Sequence, residues 1–155
     1  MKKVLIALDY NPTAQKVAET GYTLAKSLNA EVTLLHVLTD PVFYATSEFS
    51  PIMGYDGYVD VSPTVLDSIE GLKGASLQYL DKTRQHLGDQ SIKTVVKEGD
   101  FADVILETAR ELQSDIIVIG SHSQKWLENI LMGSVTEKVM HLSTIPLFII
   151  PTRKK

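Results

Sequence analysis

The chain has 155 residues, enough for one domain with a proper core. Apolar residues make up 44% and charged residues 22%, close to globular averages, which argues against disorder. A formal net charge of −4 without a long basic run argues against nucleic-acid binding, and the lack of cysteine excludes disulfides, thiolate catalysis and cysteine-bound metals.

No stretch approaches the roughly 20 apolar residues that a membrane helix needs. Met1-Lys2-Lys3 leads into a short apolar run that meets Asp9 at once, too short for a signal-peptide core. The expectation is a cytoplasmic protein without a membrane or nucleic-acid partner.

Val4-Leu5-Ile6-Ala7-Leu8 is continuously apolar and reads as a strand covered on both faces. Asp9 stands at its carboxyl end, where open α/β sheets bind ligands. Asn11 as N-cap and Pro12 at the first helical position predict a helix start. Ala14, Val17, Ala18, Gly21, Leu24, Ala25 and Leu28 then recur at helical spacing, and Asn29-Ala30 closes the segment. Glu31 to Leu38 is a second buried strand. His36 lies inside it and reads as a packed histidine, hydrogen-bonded near the sheet.

Residues 39–63 hold three prolines, two glycines and five aromatic side chains, and read as a long loop. Two readings are open: a lid over a ligand, or an apolar cluster covering the sheet edge. Thr64 to Leu87 shows helical spacing through Val65, Leu66, Ile69, Leu72, Leu77, Leu80 and Leu87, ended by Gly88-Asp89. Ile92 to Lys97 alternates more and reads as a strand near an edge, with Glu98-Gly99-Asp100 as its exit turn. Phe101 to Leu112 is a third helix. Ile116 to Ile119 is a fourth strand, Val135 to Leu142 a fourth helix, and Ile145 to Ile150 a final strand. Pro146 suits an edge or a strand beginning. Strands and helices alternate, which is the pattern of an α/β sheet covered on both faces.

The chemistry gathers between Gly120 and Thr136. The fourth strand ends at Gly120, and Gly133-Ser134 stands where the fourth helix begins. A helix start exposes unpaired N–H groups and roughly half a positive charge. Facing a strand end across a crevice, it makes an anion site, most often for phosphate. On this reading the N–H groups of Gly120, Ser121, His122, Ser123, Gln124 and Lys125 cradle phosphates together with Gly133 and the Ser134 hydroxyl. Val135 and Thr136 add first-turn N–H groups, and Lys125 pairs with the terminal phosphate as a point charge. The bland alternative is two glycines serving a turn and a helix start, with no ligand. His122 would reach a γ-phosphate or face water. Trp126 would pack beside the loop or serve an interface. The dinucleotide fingerprint, the P-loop, HExxH and GxSxG are all absent.

These residues resemble the universal stress protein family. Its nucleotide-binding branch carries Gly, two residues, Gly, nine residues, then Gly with Ser or Thr; this chain matches except at Ser123, where glycine is expected. The opening KKVLIALD, the LLHV run and the closing IPLFIIP also look like the family. The resemblance implies one Rossmann-like domain over residues 1–155, with an open parallel five-stranded sheet in order 3-2-1-4-5. It implies ATP, with Mg²⁺ or Mn²⁺, at the carboxyl ends of strands 1 and 4, where Ala7, Leu8 and Asp9 end the first strand. Asp9 would lie near the ribose or hold the metal through water, and Val37 would touch adenine. If Ser123 must adopt a left-handed backbone, the cost of ~1–2 kcal/mol weakens binding about tenfold.

The resemblance also implies a homodimer, the last strands Ile145–Ile150 of two subunits pairing antiparallel. Nothing resembles a catalytic constellation, so slow ATP hydrolysis at most is expected. The function implied is a nucleotide-responsive stress or signalling protein with further protein partners. The alternatives are a dimeric interaction module that binds no nucleotide, and a small α/β enzyme acting on a phosphorylated metabolite.

Overall fold

The structure, a computed structural model, describes residues 1–9, 13–38, 69–121 and 133–152. In chain order these form β1 (Lys3–Leu8), α1 (Ala14–Ser27), β2 (Glu31–Leu38), α2 (Ile69–Leu87), β3 (Lys93–Glu98), α3 (Phe101–Glu111), β4 (Ile116–Gly120), α4 (Ser134–Leu142) and β5 (Leu147–Ile150). The strands make one sheet in the order β3-β2-β1-β4-β5, and every neighbouring pair is parallel. This is the sheet order expected above. The stretch 39–63, Asn11, Pro12, His122 to Lys125 and Trp126 lie outside the described residues.

Side chains alternate across the pleat, so each buried strand feeds two cores. Val4, Ile6 and Leu8 of β1 join Leu34, Leu38 and Val118 under α1 and α2. Leu5, Leu35, Val37, Ile117 and Ile119 point the other way, under α3 and α4. The continuous apolar runs of β1 and β4, and the buried strand β2, are therefore used on both faces, as a central parallel sheet requires. Strand β3 lies at an edge and is nowhere fully buried, which explains its mixed sequence.

Helix α1 approaches the sheet most closely at Gly21. A Cβ there would stand 2.9 Å from Val118 Cγ1 and 3.0 Å from Ile6 Cδ1. Glycine is needed because the side chains beneath leave no room. Thr13 precedes the first described turn of α1, with helical backbone angles and no side-chain capping bond.

Leu77 corrects the sequence reading of α2. It matches a helical spacing, yet it is 47% exposed. The buried face runs instead through Leu72, Ser76, Tyr79, Leu80 and Thr83, at steps of three and four residues. The two small polar groups on that stripe hid it. The Thr83 hydroxyl is accommodated by donating back to Tyr79 O at 3.0 Å.

Helix α3 has a cap the sequence reading passed over. The Asp100 carboxylate accepts from the Asp103 N–H at 3.1 Å. That bond, followed by Lys138 on α4, holds its pKa below the ordinary carboxylate value. Before it, Gly99 turns the chain with φ of +138°, and its N–H donates to Leu38 O at 2.9 Å. The ends of β2 and β3 are thus tied together, and Phe101 starts its helix beside them.

Candidate ligand crevice at the carboxyl end of the sheet

Strands β1 and β4 pair only from Val4↔Ile116 to Ile6↔Val118. Beyond Ile6 they part. Strand β1 continues beside β2 as far as Leu8↔His36, while β4 continues beside β5 to Gly120↔Ile150. The chain leaves the two central strands toward opposite ends of the sheet, which opens a crevice at their carboxyl ends.

The crevice encloses about 40 Å³ and opens to solvent. Its walls come from six elements or their ends. Ala7, Leu8 and Asp9 close β1; Ile119 and Gly120 close β4; Val37 lies near the end of β2. Thr13, Ala14 and Val17 belong to the start of α1, Phe101 and Ile105 to α3, and Val135 and Thr136 to the first turn of α4. Most of this wall is apolar. Asp9 is the one ionisable side chain lining it among the described residues. One of its carboxylate oxygens, Oδ2, is buried.

The rim of α4 is organised by four hydrogen bonds. The Thr136 hydroxyl donates to Gly120 O at 2.7 Å, fixing the helix start to the end of β4. The Gly133 N–H donates to Ser121 O at 2.7 Å. The Ser121 N–H donates to Ile150 O at 2.9 Å, and the Ser121 hydroxyl accepts from the Thr152 N–H at 2.9 Å. The first bond inside α4 runs from the Glu137 N–H to Gly133 O. The N–H groups of Ser134, Val135 and Thr136 therefore precede the helix's own hydrogen-bond ladder, at its positive end.

Several site residues expected from sequence meet here. Ala7, Leu8, Asp9, Val37, Gly120, Val135 and Thr136 all line the crevice. Gly133 and exposed Ser134 stand at the helix start beside it. Two expected phosphate donors are engaged elsewhere: the amides of Ser121 and Gly133 bond to Ile150 and Ser121. The physical reason is the sheet itself, since the exits of β4 and β5 need those amides to hold the stem of the α4 segment. Ser121 is buried and does not line the crevice.

Sequence reasoning missed Thr13, Ala14, Val17, Phe101 and Ile105 as walls. Ala14, Val17 and Ile105 sit on core-facing helical stripes, and nothing in their spacing separates core from rim. Phe101 carried a signal: it follows the exit turn of β3, at the ligand end of the sheet.

Below Asp9 lies a buried polar pair. His36 is fully buried, and its Nδ1 is 2.8 Å from Leu8 O. A carbonyl only accepts, so Nδ1 carries the proton. Burial depresses the His36 pKa to about 4, against a smaller opposing effect of the Leu8 bond. The imidazole is neutral at physiological pH. The Tyr79 hydroxyl donates to Asp9 O at 2.9 Å, and its ring meets His36 edge-on, centroids 6.2 Å apart.

Comparison with known proteins points one way. The model of the universal stress protein family matches residues 1–151. Universal stress protein YxiE of Bacillus subtilis is 30% identical over 151 residues, covering 96% of this chain and 97% of its own. The solved structure of MJ0577, a universal stress protein of Methanocaldococcus jannaschii, superposes with a TM-score of 0.73 at 26% identity, covering 99% of this chain and 97% of its own. A universal stress protein crystallised in complex with cAMP superposes with a TM-score of 0.65, covering 98% of each chain; at 17% identity that likeness concerns the fold.

Proposed function

The chain belongs to the universal stress protein family, and from that premise we propose that it binds an adenine nucleotide, ATP foremost, in the crevice between β1 and β4. The observation that carries this reading is the polarity of the crevice. A carboxylate, Asp9, stands on one side, and the first-turn amides of α4 stand on the other. Such a site suits a ligand with hydroxyl donors at one end and an anion at the other. Between them, Val37, Phe101 and Ile105 offer an apolar wall to a flat base. A protein of the same fold holds cAMP, which has this chemistry.

Mg²⁺ or Mn²⁺ fits such a site only as a companion of the phosphates. Among the described residues no group of three or more His, Asp or Glu could hold a metal alone. Asp9 would hold the ion through water, as suits a cation that keeps much of its hydration. The protein then acts as a nucleotide-responsive stress or signalling protein.

Gently purified protein, denatured and analysed by mass spectrometry, is expected to release an adenine nucleotide. Titration of stripped protein with Mg-ATP is expected to saturate at one site per chain. No released nucleotide together with no heat on titration would leave the alternative, a dimeric interaction module with an empty crevice.

The reading includes a homodimer. Strand β5 is the sheet edge opposite β3 and has one side unpaired within the described residues. Its Phe148 is 38% exposed and lies beside Leu24 on the α1 side of the sheet. An apolar edge of this kind is managed by covering it. Two copies pairing β5 antiparallel across a two-fold axis would do so. Sedimentation is expected to give twice the chain mass at micromolar concentration, and Phe148→Lys to shift it toward monomer. A monomer mass at every concentration would defeat the dimer.

A further inference from the structure

We propose that His36 and Tyr79, neither of which lines the crevice, are positioning residues that aim the Asp9 carboxylate at its ligand. This rests on the reading that the crevice takes a nucleotide, and it names what sets the direction of its acidic side.

The problem they solve arises from the sheet. Pairing between β1 and β4 stops at Ile6↔Val118, so the end of β1 loses its neighbour on that side just before Asp9. A strand end released in this way frays unless its carbonyls find other donors. Two consecutive ones do. Leu8 O accepts from His36 Nδ1 at 2.8 Å, and Asp9 O accepts from the Tyr79 hydroxyl at 2.9 Å.

Those carbonyls belong to the two peptide planes that flank the Asp9 Cα. Each plane is rigid, and only φ and ψ of Asp9 rotate one against the other. Holding both planes fixes both angles, and with them the direction of the Cα–Cβ bond. The Asp9 side chain thus leaves the backbone along a line set by two side chains that do not line the crevice.

The two donors also brace each other. Their rings meet edge to face at 84°. Tyr79 is 3% exposed and His36 is fully buried, so neither can rotate freely into solvent. One comes from β2 and the other from α2, so the aim of Asp9 records the docking of α2 on the sheet. A carboxylate held this way discriminates among ligands by what they present to it: a donor hydroxyl is welcomed, a phosphate repelled.

The test is a double-mutant cycle read with Mg-ATP. Tyr79→Phe removes one hydroxyl and keeps the ring. It is expected to weaken Mg-ATP binding roughly tenfold. In an Asp9→Ala background, the same substitution is expected to change the affinity less than about twofold, because the group being aimed is gone. Equal losses in both backgrounds would overturn the proposal, since a residue that only supports the fold acts regardless of Asp9. A second readout needs no ligand. With ¹³C-labelled aspartate, the Asp9 Cγ resonance is expected to shift or broaden in Tyr79→Phe and in His36→Asn; an unchanged signal would also overturn the proposal. If wild-type protein binds no nucleotide, the reading of the crevice fails, and the Cγ signal then decides the positioning role by itself.

Discussion

Ile6→Ala is expected to cost the fold about 2–5 kcal/mol, among the largest effects of any single truncation in this chain. Ile6 has no exposed surface and stands in the central strand, with Leu34 of β2 on one side and Val118 of β4 on the other. Its Cδ1 lies against the bare backbone of Gly21 on α1. Removing the side chain forfeits its transfer energy and leaves a cavity that three rigid elements cannot all collapse into. In urea unfolding the midpoint should fall while the slope stays constant. A partner substitution sharpens the test. Gly21→Ala alone should destabilise, because the added methyl meets Ile6 and Val118 at 3.0 and 2.9 Å, closer than its gain of about 1 kcal/mol in helix propensity can offset. In the Ile6→Ala background the same methyl enters vacated space, and its cost should shrink or change sign. Additive effects would show that Gly21 does not lie over Ile6.

Stability is expected to drop by about 3 kcal/mol as pH falls from 6.5 to about 4, because of His36 alone. The sign follows from the direction of the shift. Burial lowers the folded pKa to about 4, while the unfolded chain keeps the ordinary value of 6.5. Between these values the unfolded state binds a proton that the folded state refuses, so protons pull the equilibrium toward unfolding. Above 6.5 both states are neutral and the contribution is flat. Glu19, Asp89 and Asp100 all have pKa values depressed by hydrogen bonds, so they too lose their contributions in acid, at the lower end of this window. The difference between wild type and His36→Asn isolates the imidazole. Urea titrations from pH 4 to 8 should show a slope in the wild type that the variant lacks above about pH 5. Parallel curves would mean that the ring is not held neutral in the core.

Periodicity and strand ends carried most of the fold. The unbroken apolar runs at Val4–Leu8 and Ile116–Ile119 could only be central strands, because a sheet face open to water would have interrupted them. Glycine and asparagine at Gly88 and Asn29 marked helix exits through positive φ, as observed. Leu77 shows the limit: hydrophobic character at a nearly correct spacing outweighed two buried polar residues, Ser76 and Thr83, that lie on the true stripe. The crevice was legible where residue type and topology coincide, as at Asp9 and Gly120. It was illegible where the backbone decides. That Ser121 and Gly133 give their amides to the sheet exits depends on how β4 and β5 finish together, and no motif encodes this. His36 was read as a packed residue, which it is. The tyrosine set against it comes from a helix far along the chain, and sequence offered no link between them.

The bond from the Gly133 N–H to Ser121 O has a consequence for tolerance to change. It brings the two ends of the intervening segment, residues 122–132, to one point, 2.7 Å from donor to acceptor. Closing a longer excursion from a pinned base costs only about 0.6 kcal/mol for each doubling of its length. A change in the length of that segment is therefore expected to cost the stability of the scaffold little.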